Sequence, residues 1–178
     1  IESTIVGGSN NTIHSPRGFI GGGNNNISSG DGTTINGGSV NIATGDYSAI
    51  LGGTYNELYS TNGMIGAGNV NLCSGDYSTI VAGRLNQVRA THGFIGGGSS
   101  NLVSGVYSSI VAGQSNEISN GTQQAFMGGG TTNVIMGGGS SNASTIVGGN
   151  NNTIQIGLSS TIVSGDNNTV SGSNSAVL

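Results

Sequence analysis

Few side chains in this chain are suited to covalent catalysis. The 178 residues include one cysteine, Cys73, two histidines, His14 and His92, and no lysine. Neither histidine has a carboxylate at a recognisable spacing, and no Gly-x-Ser-x-Gly elbow occurs. Most schemes for activating a nucleophile therefore lack a necessary part. We predict no catalytic residue and no enzyme activity.

Among the acidic residues, Asp31 and Asp46 are the one candidate pair of catalytic carboxylates. Asp31 and Asp46 are 15 residues apart, and Asp76 lies in the same column of the repeat described below. Stacked coils would bring Asp31 and Asp46 to about 5 Å, a separation two glycosidase carboxylates could use. Aspartate after glycine is more typical of a turn, and the calcium-binding pattern Gly-Gly-x-Gly-x-Asp is missing from the sequence. We expect no cofactor and no metal.

Charge excludes two classes of partner. Three arginines and seven acidic residues give a formal net charge of -4. Nucleic acids and anionic membranes attract clustered positive charge, so we expect neither as a partner. No apolar run approaches the roughly 20 residues of a membrane span, so direct membrane insertion by this fragment is not expected. The last residues, 175–178, stop partway into a repeat, which suggests a piece of a longer protein.

The dominant feature is a 15-residue repeat, Ile-x-[Gly/Ala]-Gly-x-x-Asn. Its isoleucines, the predicted core row, are Ile5, Ile20, Ile35, Ile50, Ile65, Ile80, Ile95 and Ile110. Its asparagines, the predicted ladder, are Asn11, Asn26, Asn41, Asn56, Asn71, Asn86, Asn101 and Asn116. A short fixed period predicts stacked coils, one per repeat. The fold class is therefore all-β, a parallel β-solenoid of about twelve 15-residue coils.

Each residue type suits a part of such a coil. Isoleucine is β-branched and favours a strand, with its side chain inward. The residues two before and two after it, such as Ser48 and Gly52 around Ile50, are small. Because a strand alternates faces, we expect a thin core of one large residue between two tiny ones. The next glycine supplies a turn, and stacked asparagines exchange amide hydrogen bonds.

The opposite strand face is unusually apolar. A bulky residue alternates between the positions before and after the isoleucine, with glycine filling the vacated place. We name this set the outer strip, and it consists of Phe19, Met64, Phe94, Val6, Leu51, Val81 and Val111. A solvated face should be polar, so we expect copies of the chain to cover the strip as a subunit interface. The alternatives are a reversed inward face, or both faces covered by the same chain.

Two further columns stand out. Tyr47, Tyr77 and Tyr107 recur every 30 residues, and we expect them at a coil corner. An apolar row four coils tall, which we name the partner stripe, could contact a partner. It consists of Val40, Tyr55, Val70 and Leu85.

The repeat divides the chain into three parts. Residues 1–120 form eight regular coils, and residues 144–178 form further coils. Between them, residues 121–143 are an irregular break in the stack, where Met127 comes two residues late and a second motif starts at Met136. Thr122, Gln123 and Gln124 are expected on an exposed loop.

The last coil, Ser159 to Val177, carries Ser-Thr-Ile-Val-Ser-Gly followed by Ser-Gly-Ser-Asn-Ser. It resembles the head repeats of YadA-like trimeric autotransporter adhesins, and virus and phage fibres carry similar repeats. The resemblance implies a left-handed β-roll, three chains side by side, and an extracellular place on a cell or virion surface. This chain differs in its Gly-x-x-Asn motif, in isoleucine where alanine is common, and in showing no neck or stalk.

The resemblance implies a non-enzymatic adhesin or fibre that attaches to a host or partner surface. The partners would be two further copies of the chain and a host-surface protein or glycan. The alternative is ice binding, because the pattern Asn-x-Val/Ile-x-Ser/Gly is also similar to β-roll ice-binding proteins of cold-tolerant grasses. A trimer in solution favours attachment, and a monomer favours ice binding.

Overall fold

The computed structural model describes residues 2–137, 141–155 and 158–178, with the backbone alone at residues 141 and 142. These residues form an all-β parallel solenoid, as the repeat predicts. Two long sheets of twelve and eleven strands face each other, and each coil adds one strand to each sheet. Strand neighbours are offset by 15 residues in the regular coils, so Ile50 pairs with Ile65 and Leu58 with Cys73.

All strands are two residues long. The first sheet consists of β1 (Thr4–Ile5), β3 (Phe19–Ile20), β5 (Thr34–Ile35), β7 (Ala49–Ile50), β9 (Met64–Ile65), β11 (Thr79–Ile80), β13 (Phe94–Ile95), β15 (Ser109–Ile110), β18 (Phe126–Met127), β21 (Thr145–Ile146), β23 (Thr161–Ile162) and β25 (Ala176–Val177). The second consists of β2 (Thr12–Ile13), β4 (Ile27–Ser28), β6 (Ile42–Ala43), β8 (Glu57–Leu58), β10 (Leu72–Cys73), β12 (Gln87–Val88), β14 (Leu102–Val103), β16 (Glu117–Ile118), β19 (Val134–Ile135), β22 (Thr153–Ile154) and β24 (Thr169–Val170). A third, two-stranded sheet pairs β17 (Thr122–Gln123) with β20 (Ser141–Asn142).

Two corners connect the sheets in every regular coil, and both use left-handed backbone. The ladder corner, residues 7–11 in the first coil, leads from the first sheet to the second. Its glycines have φ near +90°, as at Gly8 and Gly53, and the residue two later is also left-handed. The open corner, residues 14–18 in the first coil, leads back to the first sheet. Its fourth residue, such as Tyr47 or Asn62, has φ near +54°.

The core contains two rows of side chains where one was predicted. The predicted isoleucines from Ile20 to Ile110 are fully buried, and Met127, Ile146 and Ile162 continue the row. Ile5 is 45% exposed, because a coil covers it on only one side. The unpredicted row lies on the second sheet, two residues after each asparagine. Its members include Ser28, Ala43, Leu58, Cys73, Val88, Val103, Ile118, Ile135, Ile154 and Val170.

The expectation of a thin core is therefore wrong in one respect. The small residue two before the isoleucine is buried, as at Ser48 and Ser78. The small residue two after it is not in the core. A Cβ added at Gly22, Gly37 or Gly52 would meet nothing within 4 Å, so this position faces open space.

Serine and glycine alternate two residues before the isoleucine because this position shares its space with two neighbours. Where the second-row residue is Cys73, Ser78 fills the space, its Oγ 2.9 Å from the Cys73 Sγ. A Cβ added at Gly63 would lie 3.0 Å from Leu58 Cδ1 and closer still to Ser60. The second-row residue alone does not decide the choice, since valine precedes both Gly93 and Ser108 by five residues. In the regular coils, serine occurs where the residue three before it is glycine, as at Gly75, so that the interior stays closely packed.

The predicted asparagine ladder is present and buried from Asn26 to Asn116. The Asn71 side chain shows the pattern. Its Nδ2 donates to the Gly83 carbonyl at 2.9 Å and to the Ala67 carbonyl at 3.3 Å. Its Oδ1 accepts the backbone N–H of Asn86, in the next coil, at 3.1 Å. One side chain therefore ties together three coil segments that would otherwise leave buried polar groups unpaired.

The two long sheets pass through residues 121–143 without interruption, so the predicted break in the stack is a break in sequence register only. Ile110 pairs with Met127, and Met127 pairs with Ile146. The two residues added after Ile118 lie at the open corner. Thr122, expected on an exposed loop, is 1% exposed, whereas Gln123 and Gln124 are exposed. Residues 138–140 of the second predicted glycine motif lie outside the described residues.

Replacing Ile65 by Asp should disrupt the stack, because the fully buried site would hold an unpaired charge. We expect a loss of at least about 4 kcal/mol in unfolding free energy, measured by chemical denaturation. The control is Arg84→Ser at an exposed position, expected to change stability by less than about 0.5 kcal/mol. Equal melting of Ile65→Asp and the parent would contradict the inward assignment of the isoleucine row.

The compensation between core rows predicts a coupled substitution. Gly63→Ser alone should cost about 1–3 kcal/mol by overpacking. Combining it with Leu58→Cys and Ser60→Gly copies the coil of Cys73, Gly75 and Ser78, and should restore most of that loss. Denaturation of the single, double and triple variants measures the coupling. Additive losses would show that these three positions do not share one space.

Candidate interaction surfaces

Asp31 and Asp46 have structural roles. Asp46 Oδ1 accepts the backbone N–H of Asp31 at 2.8 Å, so these aspartates are adjacent, but one supports the turn of the other. Asp31 also pairs with Arg17. The hydrogen bond from Arg17 holds the pKa of Asp31 below its usual value. Among the described residues no three His, Cys, Asp or Glu side chains are grouped as metal ligands.

The outer strip lies on the solvent side of the first sheet, opposite the isoleucine row. Phe94, Leu51, Val81 and Val111 are 37–47% exposed, and Val6 is 68% exposed. Phe19 and Met64 are half-buried. Bulky residues interrupt the small side chains Thr34, Ala49, Thr79 and Ser109 in the position before the isoleucine. Such an uneven row does not favour the flat surface that ice binding requires.

The glycines that follow the isoleucine, beside residues of the outer strip, have a role within the chain. A Cβ added at Gly21 or Gly96 would stand 2.4 Å from a backbone oxygen of the next coil, so no other residue fits this backbone. The Phe19 and Phe94 rings lie over these glycines, each with Cε1 3.4 Å from the same added Cβ. The phenylalanines therefore cover their own backbone as well as facing outward.

The outer strip extends beyond the residues that the sequence predicted. Phe126, Val147 and Val163 are 38–49% exposed and continue it along the first sheet. Sequence reasoning missed them because the register shifts by two, four and one residues after Ile110. The signal was present, since each flanks a residue of the buried row, at Met127, Ile146 and Ile162. An apolar strip thus runs nearly the whole length of the rod.

The partner stripe lies on the ladder corner. Tyr55, Val70 and Leu85 are 38–55% exposed, and Val40 is half-buried. All four have φ of 55–57°. This conformation is costly for a β-branched residue such as Val40 or Val70. The stripe ends at Ser100 and Ser115, where a shallow hollow of about 400 Å³ opens beside Leu85, Leu102, Arg89 and Glu117.

The tyrosines predicted at a corner lie on the open corner, which forms an aromatic ridge. Tyr77, His92 and Tyr107 stack along the rod, with ring centroids 5.1 and 4.6 Å apart. Tyr47 lies two coils before Tyr77, and the Arg17 guanidinium is 5.7 Å from its ring centroid. The three tyrosines are 56–59% exposed. The sequence showed their period, but their stacking on His92 appears only when the coils are aligned.

No protein-family model matches the chain, and no curated protein is similar enough to count as a relative. The described residues contain no helix long and apolar enough to cross a membrane. The surfaces therefore have to be interpreted from their own geometry and chemistry.

Cys73 is buried, and burial raises the pKa of its thiol to about 11. We expect iodoacetamide at pH 8 to leave Cys73 unmodified in the folded protein and to alkylate it after unfolding in guanidinium, as measured by intact mass. The thiol binds its proton more tightly when folded, so stability should fall as pH rises above about 8.5. Cys73→Ala, which copies Ala43, is the control and should lose less stability between pH 8 and pH 10. Rapid alkylation of the folded protein would contradict the burial.

Proposed function

We propose that this chain is a rigid, non-enzymatic β-roll module of an extracellular attachment protein or fibre, exposed on a cell or virion surface. Three copies would pack side by side through the outer strip and present their remaining faces to a host or partner surface. The observation that carries the proposal is the apolar outer strip along the first sheet. Soluble monomers rarely expose a contiguous apolar patch of this kind.

The strip is long enough to drive association. Full burial of a Val, Leu, Phe or Met side chain contributes about 1.5–3 kcal/mol. The strip side chains are already partly covered, so each would contribute less than that. Ten of them per subunit, from Val6 to Val163, can still offset an association cost of roughly 4–15 kcal/mol. Side-by-side packing also lets ten of the twelve strands of the first sheet contribute, because the strip repeats with the coils and is interrupted only at Thr34–Ile35 and at the last strand.

A rod of this kind suits display rather than catalysis. Its coils contact only their neighbours, so a stiff surface can be extended by adding repeats. Packing through the first sheet would leave the second sheet and both corners available to a partner. The acidic balance and the scarcity of arginine favour a partner that is not itself strongly acidic.

The assembly is tested by replacing Phe19, Met64 and Phe94 together with Ser and measuring mass by light scattering. We expect a trimeric parent and a dissociated variant. Because Phe19 and Phe94 also contact their own strands, a second variant replaces Leu51, Val81 and Val111 with Ser. It should dissociate too, with less loss of monomer stability.

The matched control replaces Ile42, Leu72 and Leu102 on the outer face of the second sheet with Ser and should remain trimeric. A monomeric parent would contradict the assembly. So would strip variants that keep the trimer mass and melting temperature. Attachment itself is tested by whether beads coated with the parent adhere to cultured cells while beads coated with the unfolded protein do not.

A further inference from the structure

The aromatic ridge on the open corner contains one filled slot and one open slot of the same height. His92 lies between the stacked rings of Tyr77 and Tyr107. One pair of coils earlier, the corresponding position between Tyr47 and Tyr77 is Asn62. All five residues share a left-handed backbone, with φ of 53–57°. Each N–H of Asn62, Tyr77 and His92 donates to the coil before it at 2.9 Å, so the backbone is the same throughout.

The two slots differ in what fills them. The imidazole of His92 reaches out as far as the flanking rings, whereas the Asn62 amide is too short to do so. The backbones of Tyr47 and Tyr77, two coil spacings apart, are separated by about 10 Å. The Tyr47 ring lies near Gly32 in the coil before it, its Cδ1 3.0 Å from a Cβ added there. The outer part of the space between the two tyrosine rings is open, and the Asn62 amide lies at its inner end.

Asn62 and Asp76, which border this space, have polar atoms that could bind a ligand. The Asn62 side chain is exposed and makes no hydrogen bond within the described part of the chain. Asp76 reaches back to the same coil, where its Oδ1 accepts the Thr61 N–H at 2.9 Å. Its second carboxylate oxygen remains available as an acceptor. The slot thus combines two ring faces, an amide donor and acceptor, and a carboxylate.

From this arrangement we propose that the slot of Tyr47, Asn62, Asp76 and Tyr77 binds a neutral pyranose ring. The weakly positive C–H groups on the two faces of a sugar are attracted to the negative faces of aromatic rings. Sugar hydroxyls would pair with the Asn62 amide and the Asp76 carboxylate. A flat ring also fits a space of this height, since His92 lies between its two tyrosines with ring centroids 5.1 and 4.6 Å away. The polar groups of Asn62 and Asp76 beside the ring faces are therefore what favours a sugar.

The biological use of the slot rests on the proposed attachment function, for which it would supply a glycan contact. Sugar binding itself does not depend on that function. The slot is at the open corner, away from the outer strip, so it would remain accessible in the proposed trimer. The two proposals can therefore fail separately.

The test uses reciprocal substitutions that the ridge itself suggests. Asn62→His should fill the open slot as His92 fills the other, and His92→Asn should open the second slot. Histidine and asparagine both tolerate left-handed backbone, so both variants should fold. Circular dichroism and light scattering check the fold and the mass of each.

Binding of methyl β-D-glucopyranoside and methyl β-D-galactopyranoside is measured by the shift of the Asn62 backbone amide in NMR titrations. Methyl β-D-glucuronide, which has the glucoside ring plus a carboxylate, is the matched anionic probe, and p-cresol represents an aromatic side chain. We expect at least one neutral glycoside to bind at one site per chain. Binding should weaken at least tenfold for the glucuronide and in the Asn62→His variant. His92→Asn should gain a weaker second site, because Val106 stands where Asp76 stands in the first.

The inference is overturned if neither neutral glycoside shifts the Asn62 amide, if Asn62→His binds as the parent does, or if p-cresol alone binds. Should this happen in a trimer whose coated beads still adhere to cells, only the sugar slot fails. A monomer that binds the glycoside and loses it with Asn62→His would sustain the slot while contradicting the assembly.

Discussion

The asparagine ladder is the interaction on which the geometry of every coil depends. Each asparagine links its own corner, the glycine carbonyl of the next coil and the backbone N–H of the next asparagine, and nearly all are fully buried. Removing one would leave buried donors and acceptors unpaired, which is costly in a thin structure. Accordingly, every coil has the same number of residues from the buried isoleucine or methionine to the asparagine, and from the asparagine to the second-row core residue. The number is the same from Ile110 to Ile118 as from Ile146 to Ile154, on either side of the register shifts.

Because of this constraint, the ladder corner and the open corner have different roles. The two extra residues after Ile118 occur at the open corner, which has no ladder, and they leave both sheets paired. The same corner carries the residues of greatest chemical variety, from Arg17 through Tyr47 and Asn62 to His92. A corner that the core does not specify is free to carry binding residues. The proposed sugar slot is located there for this physical reason.

Much of the architecture follows from the sequence, because a short invariant repeat leaves few alternatives. The isoleucine row, the asparagine ladder and the parallel solenoid were all predictable. The second core row was not, since Ser28, Ala43 and Leu58 share a column but not a size or a polarity. Only three-dimensional packing shows which neighbouring side chains share the space with each of these residues. Likewise, His92 belongs to no motif, and its stacking depends on the tyrosines of two other coils.

The balance within the core also determines how the outer strip should be interpreted. A Cβ added at Gly63 or Gly93 would contact both the second-row residue, Leu58 or Val88, and the corner residue, Ser60 or Ala90. The same coils carry Met64 and Phe94 outside. In the coils of Phe19 and Phe94 the ring covers a strand made flexible by glycine, a recognised way of stabilising glycine in sheets. Those two side chains thus have a purpose within one chain, whereas Leu51, Val81 and Val111 flank no such glycine. The latter three give the stronger argument that a second copy covers this face.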